Sequence, residues 1–126
     1  MTLIVHDGII RDRGSRYAVS GGAVRDRSGI HALLVELKAR RRFAKATHHS
    51  WAALLPDGPS RDDDGEHGAG ALMVQMLERA ELRGHLVIVT RWYGGRPLGG
   101  DRFRHVAGAV RIYLDRQRTA LRGPGA

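Results

Sequence analysis

Leu86-Val87-Ile88-Val89 sets four branched apolar residues in a row, after which the chain runs through Thr90-Arg91-Trp92-Tyr93 into Gly94-Gly95-Arg96-Pro97-Leu98-Gly99-Gly100-Asp101. A continuous apolar run bounded by glycines is the pattern of a strand buried on both faces. Side chains alternate along it, so Val87, Val89, Arg91 and Tyr93 point one way and Leu86, Ile88, Thr90 and Trp92 the other. A cation and two aromatics therefore emerge at the carboxyl end of a buried strand, just before a glycine-rich turn. Folds containing both helices and sheets commonly place their binding sites there.

A chain of 126 residues suffices for one domain with a core and is short for two. Residues 1–126 read as a single domain with its core over about 9–118 and a loose tail over 119–126. No apolar run approaches the roughly 20 residues a membrane-spanning helix needs. The first residues lack the basic-then-apolar pattern of a secretory signal, so a cytoplasmic protein is expected. Without cysteine there is no disulfide and no thiol nucleophile. Lys plus Arg number 21 against 13 Asp plus Glu, a net charge of +8, which favours polyanionic neighbours such as nucleic acid or a ribosome-associated surface. A merely solvated arginine-rich face is the alternative.

Residues 8–13 and 16–24 read as two short β-like stretches joined at Gly14-Ser15, a hairpin or one bent strand. Ser28 is placed to cap a helix with Ile30, Leu33, Leu34 and Leu37 on one stripe, running into the cations Lys38 to Arg42. Residues 50–55 suggest a further strand, stopped by Pro56-Asp57-Gly58-Pro59. The polar segment 60–70 reads as a surface loop. A second helix carries Leu72, Met73, Met76, Leu77 and Ala80 inward, with Gly84 to end it. A third starts at Asp101 with Phe103, Val106, Ala107, Val110, Tyr113 and Leu114 on its apolar stripe. The order β-β-α-β-loop-α-β-α suits an α+β fold, a two-layer α/β sandwich whose sheet of about four strands, mixed in direction, carries three helices on one face.

Three constellations carry chemistry. Asp62, Asp63, Asp64 and Glu66 put four carboxylates around Gly65; they could hold Mg²⁺, although the spacing is not that of a calcium loop, or they could cap the next helix and pair with arginines. His48 and His49 project to opposite faces if they lie on a strand, which disfavours joint metal ligation. Gly94-Gly95 and Gly99-Gly100 precede a helix start, where backbone N–H groups can cradle a phosphate, but neither a Walker loop nor a dinucleotide fingerprint is present. No serine elbow offers a nucleophile.

Asp63-Asp64-Gly65-Glu66, Ala69-Gly70, Arg91-Trp92-Tyr93-Gly94-Gly95, Leu98-Gly99 and Asp101-Arg102-Phe103-x-His105 together resemble the IMPACT / YigZ family. Upstream, Asp12-Arg13-x-Ser15 and Lys45-Ala46-Thr47-His48 extend the likeness, so that it covers about Ile9 to Leu114. The Asp101 to His105 segment is more similar to the eukaryotic variant, and His49 stands where asparagine is usual. The resemblance implies a domain like one from a ribosomal small-subunit protein, with an unusual left-handed βαβ crossover. It also implies work around translation, including restraint of a translation-inhibiting stress kinase by eukaryotic members, and nucleic-acid binding for bacterial ones. It supplies no catalytic residues.

The expectation is thus a non-enzymatic binding module associated with translation, its ligand RNA, a ribosome-associated surface or a translation factor. Its binding residues are expected to be Thr47, His48, Asp63, Asp64, Glu66, Arg91, Trp92, Tyr93, Gly94, Gly95, Arg96, Arg102 and His105, with no cofactor or resident metal. Aromatics would stack on bases while arginines take phosphates. The rival readings are a metal-dependent phosphoesterase or nucleotide-processing enzyme built on Asp63, Asp64, Glu66 and His48, and a protein-interaction domain that binds no nucleic acid.

Overall fold

Two hairpins and one strand between them make the sheet. β1 (Ile4–Asp12) pairs with β2 (Ser15–Ala23) around Arg13-Gly14, and β3 (His48–Leu55) pairs with β4 (Gly58–Asp62) around Pro56-Asp57. β5 (His85–Trp92) lies between β2 and β3 and pairs antiparallel with both, giving the order β1-β2-β5-β3-β4. The computed structural model describes residues 2–122. It has the expected α+β character, an open sheet with helices laid on it. The sheet has five strands rather than about four, and every neighbouring pair is antiparallel rather than mixed. β2 and β3, each antiparallel to β5, run parallel to one another and are connected through α1 (Arg27–Lys38) and the short α2 (Arg41–Ala44). That connection is the βαβ unit, with β5 inserted between its strands.

Helices cover both faces, where three on one face were expected. α3 (Ala69–Ala80) and α4 (Asp101–Arg122) seal one face, with Met73, Leu77, Val106, Val110 and Tyr113 packed on Tyr17, Val19, Leu54, Val87 and Val89. α1 and α2 seal the other, with Ile30, Leu33, Leu37 and Phe43 packed on Ala18, Ala53, Leu55, Leu86 and Ile88. The apolar run of β5 compels this: with Val87 and Val89 pointing one way and Leu86 and Ile88 the other, an uncovered face would leave two large side chains in water, at about 1.5–3 kcal/mol each.

Several boundaries differ from the sequence reading. Asp26, not Ser28, caps α1 by accepting the Gly29 N–H at 2.9 Å. α3 ends on Glu81 in the left-handed region (φ 54°), while Gly84 (φ 64°) turns the chain into β5 and donates its N–H to Leu54 O. Ala80 is exposed rather than buried. The segment expected as loop contains β4, an edge strand in which Pro59 is tolerated because one side of the strand is unpaired. The cations after Lys38 do not extend α1 but belong to the turn Arg41–Ala44. α4 continues to Arg122, past the point where its periodicity fades, and residues 123–126 of the expected tail lie outside the described residues. Among the described residues no helix is long and apolar enough to cross a membrane.

Candidate functional site

At the carboxyl end of β5, Arg91 follows Val87 and Val89 on the face covered by α3 and α4, and is only 5% exposed. Its Nη1 donates to both carboxylate oxygens of Glu66, at 3.1 and 3.3 Å, and its Nη2 to Ser15 Oγ at 3.3 Å. Glu66 is 3% exposed, and Arg102, in the first turn of α4, approaches the same carboxylate at 4.0 Å. Two guanidiniums therefore attend one carboxylate. They border a cavity of about 390 Å³ lined by His48, Glu66, Arg91, Tyr93, Pro97, Leu98, Gly99 and Arg102.

The acidic segment is shaped to deliver Glu66. Asp64, Gly65 and Gly68 adopt positive φ (48°, 85° and 87°), so the chain doubles back between β4 and α3. Asp63 accepts the N–H groups of Gly68 (3.0 Å) and Gly70 (2.7 Å), satisfying donors at the start of α3. Those two bonds hold its carboxyl below the usual aspartate range. Asp64 Oδ2 accepts the His49 N–H at 2.8 Å, and Asp64 O accepts from His48 Nδ1 at 2.8 Å, stitching the loop to the first residues of β3. Of the four carboxylates expected to cluster, only Glu66 faces the cavity. Among the described residues no group of three or more His, Cys, Asp or Glu side chains is arranged to hold a metal ion. The metal-dependent reading thereby loses its ligand set, because Asp63 is bound to helix-start amides and Glu66 to Arg91.

One aromatic ring lines the cavity and a second stands beside Arg102. Tyr93 is 49% exposed, with the Arg91 guanidinium 5.6 Å from its ring centre, and its N–H donates to Thr47 Oγ1 at 2.9 Å. Thr47 N–H in turn donates to Arg91 O, so Thr47 ties the end of β5 to the segment before β3. Phe103, expected on the buried stripe of its helix, is 39% exposed, lies against Gly68 and carries the Arg102 guanidinium 5.3 Å from its ring centre. Gly94 lets the turn meet the β1–β2 hairpin: a Cβ there would stand 2.0 Å from the Gly14 carbonyl carbon, and its N–H donates to Ser15 Oγ.

The remaining expected residues lie elsewhere. Trp92 is on the opposite face, where its Nε1 donates to Arg42 O at 3.1 Å and its ring underlies the Arg42 guanidinium at 3.9 Å. His49 is buried on that side as well. Because Phe43 O can only accept, His49 Nε2 carries a proton and Nδ1 accepts from the Thr90 hydroxyl, each at 2.9 Å; burial lowers the pKa of the ring. His105 packs on Tyr17 and pairs with Asp12 at 2.7 Å; the hydrogen bonds from Arg13, and after them the one from His105, hold the Asp12 carboxyl well below the carboxylate range. Gly95 and Arg96 sit in the exposed turn. The expected backbone phosphate cradle is closed: the N–H groups of Asp101, Arg102 and Phe103 donate to the carbonyls of Leu98, Gly99 and Gly100. Among side chains, Arg91 and Arg102 bring donors to the cavity. Ser15 and Leu98 belong to the site although sequence reasoning did not select them; Ser15 stands in the Asp12-Arg13-x-Ser15 segment and is fully buried.

Residues 13–114 match the Impact N-terminal domain, about four fifths of the chain. The chain belongs to this family. Protein IMPACT-B of Xenopus tropicalis is 34% identical over 90% of this chain and 38% of its own length, and Protein IMPACT of Danio rerio gives the same figures. The Protein IMPACT homolog of Saccharomyces cerevisiae is 33% identical over 81% of this chain and 42% of its own length. The chain thus spans about two fifths of these curated Impact relatives. Among solved structures, a two-domain translational regulator, Yih1, aligns over 90% of this chain and 44% of its own, with TM-score 0.51 and 28% identity. The crystal structure of a hypothetical protein aligns over 96% of this chain and 60% of its own, with TM-score 0.66 and 24% identity, a likeness of fold.

Proposed function

We propose that this Impact-type domain is a non-enzymatic binding module of translation control, working in the cytoplasm as one folded unit and engaging RNA at the Arg91–Arg102 cavity. The observation that carries the reading is the pairing of one carboxylate with two guanidiniums in a cavity lined by the half-exposed ring of Tyr93, with the exposed ring of Phe103 beside Arg102. Exposed rings offer stacking surfaces that tolerate any base, and the surplus guanidinium takes backbone phosphate. The net charge of +8 brings a polyanion to the surface from a distance. A regulator of translation among the structural neighbours supports the biological setting.

Titration of labelled single-stranded RNA at about 50 to 200 mM salt tests it, since a protein that contacts phosphates loses affinity steeply over that range. Tyr93→Ala and Arg102→Gln should each weaken binding, the second also lowering the salt slope. Absence of binding at the lowest salt would overturn the reading. A partner that survives nuclease treatment and is lost with Arg102→Gln would instead make the same surface a protein-docking site.

A further inference from the structure

Arg102 is a third exposed and reaches into the cavity, yet it makes no side-chain hydrogen bond among the described residues; it approaches the Glu66 carboxylate only to 4.0 Å. A guanidinium carries five N–H donors, so nearly all of its capacity is uncommitted. Behind it stands Arg91, whose side chain is 6% exposed and whose Nε has no partner, as is also true of Arg102 Nε. Asp101, the acid that would repel an anion from this corner, is held by Arg13 and approached by Arg104 at 3.6 Å. The positive end of the 22-residue α4 adds to the field. The cavity wall therefore carries two positive charges and one negative, in a volume of about 390 Å³ that exceeds what a lone carboxylate needs and falls within the ~300–1,000 Å³ range of small-ligand sites.

We propose that this cavity is a subsite for a single phosphate group, contacted directly by Arg102, with Arg91 as the fixed charge behind it and Glu66 as a resident competitor that holds the affinity down. The proposal rests on the RNA reading above and names the part of the ligand that enters the cavity. Glu66 occupies the guanidinium face that a phosphate oxygen would otherwise take, so the site exchanges one anion for another and avoids leaving two guanidiniums unpaired when empty. Arg102, on the first turn of α4, is the member free to turn toward the newcomer, because no hydrogen bond fixes it.

Inorganic phosphate titrated into ¹⁵N-labelled protein reads this directly. Amides of Gly99 and Arg102 are expected to shift in a saturable way, Arg102→Gln to weaken the effect about tenfold, and Glu66→Gln to tighten it about three- to tenfold as one repelling charge disappears. Arg111→Gln, which alters net charge equally but is exposed further along α4 and outside the cavity, should leave the affinity within about twofold. A 5′-phosphorylated single-stranded RNA and its 5′-hydroxyl counterpart separate the sources of the group: preference for the first marks a terminal phosphate, equal competition by both an internal one. If phosphate moves no amide near Arg102, or Arg102→Gln and Arg111→Gln behave alike, the subsite is refuted, and RNA binding that persists in that case uses another part of the basic surface. If phosphate binds as described but neither RNA competes, the subsite stands and the RNA reading falls. Should Glu66→Gln not fold, the comparison of Arg102→Gln with Arg111→Gln decides, because neither residue is buried.

Discussion

Arg91 and Glu66 meet at 3.1 Å with both side chains almost wholly removed from water, one from the end of a central strand and the other from an otherwise exposed acidic loop. Desolvating both ions offsets much of their attraction, so the pair adds little stability relative to apolar replacements, but breaking it is costly. Arg91→Ala or Glu66→Ala strands the surviving charge and is expected to lower unfolding free energy by about 3–5 kcal/mol in urea titrations. A joint Arg91→Met, Glu66→Leu replacement should recover most of that loss, and a double variant no better than the singles would contradict this account.

Burial keeps His49 and His85 neutral in the fold, and both pKa values are lowered accordingly. On unfolding these rings take up a proton below about pH 6.5, so the unfolded state binds more protons and stability falls as pH drops from about 7.5 to 5. Each ring contributes a slope of at most about 1.4 kcal/mol per pH unit. His49→Asn should flatten the dependence of the urea midpoint across that window. A second loss is expected below about pH 4, where Asp63 and Asp12, both held low in the fold, must be protonated.

Gly94 and Gly95 are adjacent but should respond differently to substitution. A Cβ at Gly94 would overlap Gly14, 2.0 Å away, so Gly94→Ala forces the hairpin turn apart, costs about 1–3 kcal/mol and disturbs Ser15 beneath Arg91. Gly95 has open space around it and only its φ of 89° to lose, so Gly95→Ala is expected to cost about 1 kcal/mol and to leave the chemical shifts of Ser15 and Arg91 in place.

Asp63→Asn keeps an acceptor but removes the charge that the Gly68 and Gly70 amides attract, while Asp63→Ala removes both. The alanine variant is expected to lose about 0.5–2 kcal/mol, asparagine less, measured by thermal or urea unfolding. Neither should change divalent-ion affinity, because Asp63 is a cap rather than a ligand.

Long periodic segments announced themselves: the stripes of α1, α3 and α4 follow directly from apolar spacing, whereas the stretches around Gly14-Ser15 fitted a hairpin or one bent strand until the pairing of β1 with β2 decided it. Cover on both faces was also readable, since Leu86 to Val89 alternate, but the tally of helices pointed to one layer instead. β4 carried no signal because an edge strand holding Gly58, Pro59 and three polar residues has no apolar face to display. At the site, strand alternation already placed Arg91 with Tyr93 and sent Trp92 away from both. What it could not supply was the partner of Glu66, 25 positions distant, because long-range pairing is decided by how the loop after β4 turns. For the same reason Asp63 and Asp64, chemically identical neighbours, proved to be bound to α3 and β3 respectively.

The middle of the sheet is the last strand to be synthesised. Both hairpins, β1–β2 and β3–β4, are complete in the nascent chain before residue 85 exists, yet they share no border with each other. Each waits with an open edge until β5 emerges and joins the two halves, so assembly of this protein is gated by the arrival of the very strand that ends in Arg91.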